Sequence, residues 1–197
     1  MSSAANTRMS AGARREHLLD AAKAVVAGQG FHAVSIEAVA RAAGITRPIV
    51  YRHFGDLGEL LDALVDRETM RALAQLQDFM PTAELGGDDP RPDLLAALAG
   101  YLRAVRDDPV TWRLVLMPPE GAPGLLGERI AAGRAAVVAQ LAQAIGPRAG
   151  SPDPELTARA LSAVADEAAR LTLADPERYP PERIVAHGRW LFSLFDR

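Results

Sequence analysis

The sequence predicts an all-α chain of about nine helices, and three observations predict it. Apolar residues recur at helical spacing through almost every segment, while no alternating pattern runs long enough to make a strand. Apart from Pro48, the prolines fall at the breaks between those segments: Pro81, Pro90 and Pro92, Pro109, Pro118, Pro119 and Pro123, Pro147, Pro152 and Pro154, then Pro176, Pro180 and Pro181. The stretch Ser35–Phe54, SIEAVARAAGITRPIVYRHF, reads as two short helices around a tight turn at Ala43-Gly44-Ile45.

Each element has its own reasons. The first helix is expected at about Ala11–Gln29, with Leu18, Ala22, Val25 and Val26 inward. Ser35 is a good N-cap for the second, and Glu37 sits in its first turn, where the helix dipole favours negative charge. Ile36, Val39, Ala40 and Ala43 make its buried face. Gly44 then ends that helix where a left-handed residue is needed, a conformation that costs little only without a Cβ. Thr46 caps the third helix, and Pro48 falls in its first turn, where a missing N–H breaks no internal hydrogen bond. Val50 and Phe54, four apart, point inward.

Beyond this hairpin, helix four is expected at about Asp56–Met80, started by a capping box of Asp56 and Glu59. Helix five is expected at about Pro92–Asp107, with Leu94, Leu98, Tyr101, Leu102 and Val105 on one face. A short helix follows near Val110–Met117, then a rigid Pro/Gly turn, MPPEGAPG, at Met117–Gly124. The last three helices are expected at about Gly124–Ile145, Pro154–Ala174 and Pro181–Phe195.

The outward residues of the third helix suit DNA. Arginine pairs bidentately with guanine or holds a phosphate, and an apolar residue such as Ile49 meets a thymine methyl. Tyr51 and His53 offer hydrogen bonds to phosphate oxygens, which fix register without reading sequence. Candidate DNA-binding residues are therefore Ser35, Thr46, Arg47, Pro48, Ile49, Tyr51, Arg52 and His53. A plain helical hairpin with solvated arginines shares the bare pattern, so the spacing of the surrounding residues matters.

That spacing strongly resembles the tetracycline-repressor (TetR-type) family of transcriptional regulators. The matching elements are Val34-Ser35, Val39-Ala40, Ala43-Gly44-Ile45-Thr46, Val50-Tyr51-Arg52-His53-Phe54 and Leu60-Leu61, with Arg15 through Phe31 matching the family's first helix. The resemblance covers roughly residues 12–72. It implies a three-helix DNA-binding domain there, with the helix-turn-helix at 35–54, a connecting fourth helix, and a ligand-binding, dimer-forming helical domain at 73–197. One departure stands out: the family usually has a lysine three residues after the Phe, and here that position is Leu57. Operator affinity then leans on Arg47, Arg52 and the N-terminal arm.

Charge agrees once it is divided. The chain carries a formal net charge of -3. In residues 1–55, Arg8, Arg14, Arg15, Lys23, Arg41, Arg47 and Arg52 face only Glu16, Asp20 and Glu37. The positive surplus lies where phosphates would, and the remainder is acidic. There is no cysteine, so no disulfide framework and no thiolate metal site. No apolar run approaches the ~20 residues that cross a bilayer, and the first nine residues lack the apolar core of a secretory signal. Cytoplasm is the expected location.

The acidic part is expected to bind a small molecule and a second copy. Helix eight carries Leu156, Ala160, Val164, Ala168 and Leu171 on one stripe with Ala163 beside it, and helix nine offers Ile184, Val185, Gly188, Leu191, Leu194 and Phe195. Small residues at helical spacing let two such pairs form a four-helix homodimer interface. Candidate pocket residues are Tyr101, Trp112 and Met117, with Asp166, Glu167 and Arg170 as polar anchors. No cofactor or metal is expected: His17, His32, His53 and His187 are scattered, and no P-loop, nucleophile elbow or dinucleotide fingerprint occurs. The expected function is a non-enzymatic, ligand-responsive regulator, a repressor released from a palindromic operator by an unknown small molecule. The alternative is a same-fold dimeric small-molecule-binding or interaction module without operator binding, which Leu57 favours.

Overall fold

The computed structural model describes residues 9–80, 89–118, 124–145 and 151–194. Pro81, Pro119, Pro123, Pro147 and Phe195, and all of the Met117–Gly124 turn except Met117, Pro118 and Gly124, lie outside the described residues. Nine α-helices occur among them and no strand: α1 Ala11–Gln29, α2 Ile36–Ala42, α3 Arg47–His53, α4 Leu57–Gln77, α5 Arg91–Asp107, α6 Pro109–Leu116, α7 Gly124–Ile145, α8 Pro154–Ala174 and α9 Pro181–Ser193. Several ends differ from expectation by one to three residues. Pro109, Pro154 and Pro181 each open a helix, because a first-turn residue needs no N–H and proline's fixed φ already suits the helix. Among the described residues no helix is long and apolar enough to cross a membrane.

The chain divides into two compact units. The first runs to Arg67 and the second starts at Glu68, apart from a short stretch ending at Leu126 that groups with the first.

In the first unit α1 packs on α2 and α3, and α2 on α3. Leu18, Ala22, Val25 and Val26 of α1 are buried, as are Phe31, Val39, Val50, Phe54, Leu60 and Leu64. Ser10 and Ser35 accept hydrogen bonds from the backbone N–H of Ala13 and Ala38 at 3.2 and 3.1 Å. Each such cap stabilises its helix by about 1 kcal/mol. Arg67 on α4 donates to Glu16 and Asp20 on α1 at 3.1 and 2.9 Å, fastening the two helices along their polar edge.

In the second unit α5 packs against α6, α8 and α9, and α6 against α8. Tyr101, Leu102, Val105, Trp112, Leu116, Ala168, Ala169 and Leu173 form its buried core. A second cluster joins Val138, Leu141 and Ile145 of α7 to Ala158 of α8. The end of α6 and the end of α8 are tied reciprocally: Arg170 Nε donates to the Leu116 carbonyl at 3.2 Å, and Arg113 donates to the Leu173 carbonyl at 3.1 Å. Both arginines thus satisfy carbonyls that a helix leaves open at its C-terminus, where positive charge is also favoured.

Candidate DNA interface and ligand cavity

The turn between α2 and α3 is built by backbone geometry. Gly44 has φ +65°. With that residue left-handed, the Ile45 N–H reaches the Ala40 carbonyl at 2.9 Å and the Gly44 N–H reaches Arg41 at 3.2 Å, which is the paired pattern of a Schellman end. His17 Nε2 lies 3.0 Å from the Ala43 carbonyl, so α1 holds the turn from behind. Thr46 occupies the N-cap of α3, but its side chain makes no capping bond, contrary to expectation. The reason is local: Pro48 has no N–H to offer, and the Ile49 N–H is already taken by the Thr46 carbonyl at 3.0 Å.

Buried Val50 and Phe54 fix which side of α3 faces outward. Thr46, Arg47, Pro48, Tyr51 and Arg52 are exposed, while Ile49 and His53 are half-buried. Residues 47, 48, 51 and 52 sit at helical spacing, so four of the candidate side chains share one solvent face. Arg47 stands 3.8 Å from Glu37 in an exposed pair, too weak to withhold the guanidinium from a phosphate or base. Ser35 is exposed at the N-terminus of α2, its oxygen engaged by the Ala38 N–H. Arg15 was legible only as part of the matching first helix. It lies over the Phe54 ring at 4.2 Å and donates to the His53 carbonyl at 3.1 Å, pinning the C-terminus of α3. Leu57 is half-buried at the start of α4, and half of the expected capping box is present: the Glu59 N–H donates to Asp56 at 2.9 Å, but the Glu59 carboxylate accepts from the Gly55 N–H at 2.9 Å, one residue before the cap.

The second unit contains a cavity of about 490 Å³ lined by residues of α4 to α9. Tyr101, Trp112 and Asp166 are among its lining residues; Met117, Glu167 and Arg170 are not. Met117 is the C-cap of α6, one turn on from exposed Arg113, and is itself exposed. Glu167 is exposed and pairs with Arg170 at 3.2 Å, while Arg170 is occupied with the carbonyl of Leu116. Three expected pocket residues therefore belong to the protein's exterior and to the α6–α8 joint.

The cavity wall is almost wholly apolar, with Leu73, Leu76, Leu98, Val137 and Leu161 among its residues. Its charged side chains are Asp166 and Arg134, paired at 2.8 Å. Tyr101 donates its hydroxyl to the other Asp166 oxygen at 3.2 Å. Burial, and then the neighbouring Asp166 carboxylate, push the Tyr101 phenol well above its ordinary pKa, so it is a neutral donor. Trp112 packs edge-on against Tyr101 at 5.0 Å, and its indole N–H donates to Gln75 at 2.8 Å. Behind it runs a polar chain. Gln75 donates to Asp108 at 3.3 Å, and Arg71 pairs with Asp108 at 3.0 Å. Thr111 bridges Asp108 and the buried Glu68. Arg134 stands alone among small apolar residues of α7, and Thr69 and Gln75 carry nothing in the sequence that sets them apart from the other polar residues of α4.

The face expected to bind a second copy is mixed. Leu156, Ala160, Ala163 and Val164 of α8, Trp190 and Leu191 of α9, and Leu194 at the C-cap of α9 are exposed. Ala168, assigned to the same stripe, is instead buried in the core, and Ile184 and Val185 pack against that core. Gly188 faces Leu95 of α5, to which an added Cβ would come within 3.2 Å.

Residues 18–64 match the family model described as "Bacterial regulatory proteins, tetR family". The HTH-type transcriptional regulator Rv1255c of Mycobacterium tuberculosis is 32% identical over 150 residues, which cover 73% of this chain and 67% of that one. The crystal structure of a TetR-like transcriptional regulator from Rhodococcus sp. RHA1 superposes with a TM-score of 0.72 at 25% identity, covering 94% of this chain and 99% of that one. SmeT, repressor of a Stenotrophomonas maltophilia multidrug efflux pump, superposes in its triclosan complex with a TM-score of 0.67 at 26% identity, covering 86% of this chain and 84% of that one. With a helix-turn-helix at its N-terminus, an all-helical body behind it and these relatives, the chain belongs to the tetR family of bacterial transcriptional regulators.

Proposed function

We propose that this regulator represses transcription from a palindromic operator and is released by a small apolar molecule held in the cavity of its second unit. The observation that carries the reading is that one chain presents both an exposed arginine-bearing face on α3 and an apolar cavity of about 490 Å³, within the range of ligand sites. Arg47 reads a base edge, Arg52 and Tyr51 hold phosphates, Ile49 meets a thymine methyl, and Ser35, Thr46, Pro48 and His53 complete the contact. The DNA-binding domain is residues 12–72 and the ligand and dimer domain 73–197. The structure of SmeT with triclosan supports a small-molecule ligand in a related chain.

A homodimer forms through α8 and α9, which supplies two readers about 34–36 Å apart, or a multiple of that, for successive major grooves. Exposed Leu156, Val164, Trp190, Leu191 and Leu194 support this interface, since a monomer seldom leaves so many large apolar side chains uncovered. Effector release follows from differential affinity for two arrangements of the dimer. The protein works in the cytoplasm and catalyses no reaction. The second reading, a dimeric binding module without an operator, is favoured by Leu57 where the family usually has lysine. A gel shift at graded salt, with the DNA upstream of the protein's own gene, separates the two. A retarded band whose affinity falls steeply with salt supports the regulator; no retardation at low salt supports the module.

A further inference from the structure

Thr69 lies on α4 within the second unit, lines the cavity and is 6% exposed. Its hydroxyl oxygen is buried and has no hydrogen-bond partner. Buried polar groups are almost always paired, so an orphan hydroxyl at a cavity wall needs a physical account. Water is a poor one, because an ordered water needs about two to four polar partners and the cavity wall is almost wholly apolar. The other polar groups of the wall are committed. The Trp112 N–H is held by Gln75, the Tyr101 hydroxyl by Asp166, and Asp166 by Arg134. Ser162 is half-buried and reaches solvent.

Charge narrows the ligand further. Asp166 and Arg134 neutralise one another, so the lining carries no net formal charge. An anion or a cation drawn inside would either break that pair or stay buried without a counter-charge, and both are unfavourable. A neutral molecule meets neither difficulty.

We propose that the cavity takes a neutral, predominantly apolar molecule bearing one hydrogen-bonding oxygen (an alcohol, phenol or ketone), and that Thr69 recognises that oxygen. This rests on the reading that the cavity is the effector site. The hydroxyl serves either polarity, as donor to a ketone or as acceptor from an alcohol.

The test is calorimetric titration of the full chain with n-octanol, octanoate and octylammonium, on wild type, Thr69→Val and Thr69→Ser. Wild type should bind n-octanol at least tenfold more tightly than either ion. Thr69→Val should weaken n-octanol roughly tenfold, the size of one lost hydrogen bond at a buried group. The same variant, without ligand, should melt above wild type, because the orphan is gone. Thr69→Ser keeps the hydroxyl and should bind n-octanol like wild type. Equal binding of n-octanol by Thr69→Val and wild type would overturn the assignment of Thr69. So would a lower melting point for Thr69→Val, which would mean that the Val65 carbonyl one turn back satisfies the hydroxyl in solution. An ion bound as tightly as n-octanol would overturn the neutral class. Failure of all three probes on wild type would strike the effector-site reading itself.

Discussion

Replacing Gly44 tests whether the helix-turn-helix is set by one backbone angle. At φ +65° an added Cβ would meet nothing within 4 Å, so the penalty is conformational and contains no packing clash. Alanine held in the left-handed region should cost roughly 1–2 kcal/mol. Asparagine, which tolerates that region, should cost less. Valine is branched at Cβ and cannot stay there, so the turn must reorganise. It then gives up the Ile45-to-Ala40 and Gly44-to-Arg41 hydrogen bonds, each worth about 1 kcal/mol net, a loss of about 2 kcal/mol that takes the place of the strain. The assay is urea unfolding followed by helical circular dichroism, beside operator binding of the same proteins. Stability should fall in the order Gly, Asn, Ala, Val. Operator binding should fail in the valine variant while it still sediments as a dimer. Alanine as stable as glycine would show that the turn does not use positive φ in solution and would refute the argument.

Four further outcomes are expected. Arg47→Ala should weaken operator binding by roughly 1–3 kcal/mol and relax preference at one position per half-site, whereas a uniform loss over all sequences would reduce Arg47 to a phosphate contact. Leu156→Glu combined with Leu194→Glu should yield a folded monomer by sedimentation, since both side chains are largely exposed, at 63% and 45%. These changes probe the interface better than deleting α9, whose Ile184 and Val185 pack against the core; a dimer that persisted would place the interface elsewhere. Tyr101 sets an alkaline limit. Its folded pKa is raised above the ordinary 10.0, so its contribution is fully present below that value and is lost as pH rises through the folded one. Tyr101→Phe should flatten that decline and cost about 1–2 kcal/mol at neutral pH, where Asp166 loses a donor; an unchanged alkaline limb would show that the phenol is not buried. Finally, a cavity ligand should change the emission of buried Trp112 in a Trp190→Phe protein and leave a Trp112→Phe protein nearly silent. The reverse would put the ligand at α9.

Local chemistry was legible in the sequence, and meetings between distant segments were not. The caps at Ser35 and Asp56, the positive φ of Gly44 and the inward Val50 and Phe54 depend on residues within a turn or two, which one chain displays directly. Thr46 shows where that logic stops, because its cap was lost to a neighbouring proline and a competing carbonyl. The cavity required pairs such as Asp166 with Arg134, 32 residues apart, and Trp112 with Gln75, 37 apart. No periodicity reports which helices face one another. Arg170, charged in mid-helix, suits a pocket anchor by sequence alone, yet the carbonyl at the end of α6 takes its Nε–H. Tyr101 and Trp112 stand out in the sequence as large side chains of the middle helices, and both line the cavity.

The polar chain behind Trp112 makes the apolar wall answerable to α4. An indole pushed aside by an occupant could not move silently: its N–H would leave Gln75, and Gln75 would be freed to change its hold on Asp108. Asp108 is also gripped by Arg71 and, through Thr111, linked to Glu68, so successive turns of one helix would feel the same displacement. One neutral bond at about 1 kcal/mol, with one to a carboxylate at about 1.5–3 kcal/mol, amounts to the coupling energies by which effectors act. The wall thus behaves as a latch with a countable number of teeth, and an occupant too small to reach the indole would fill space without turning it.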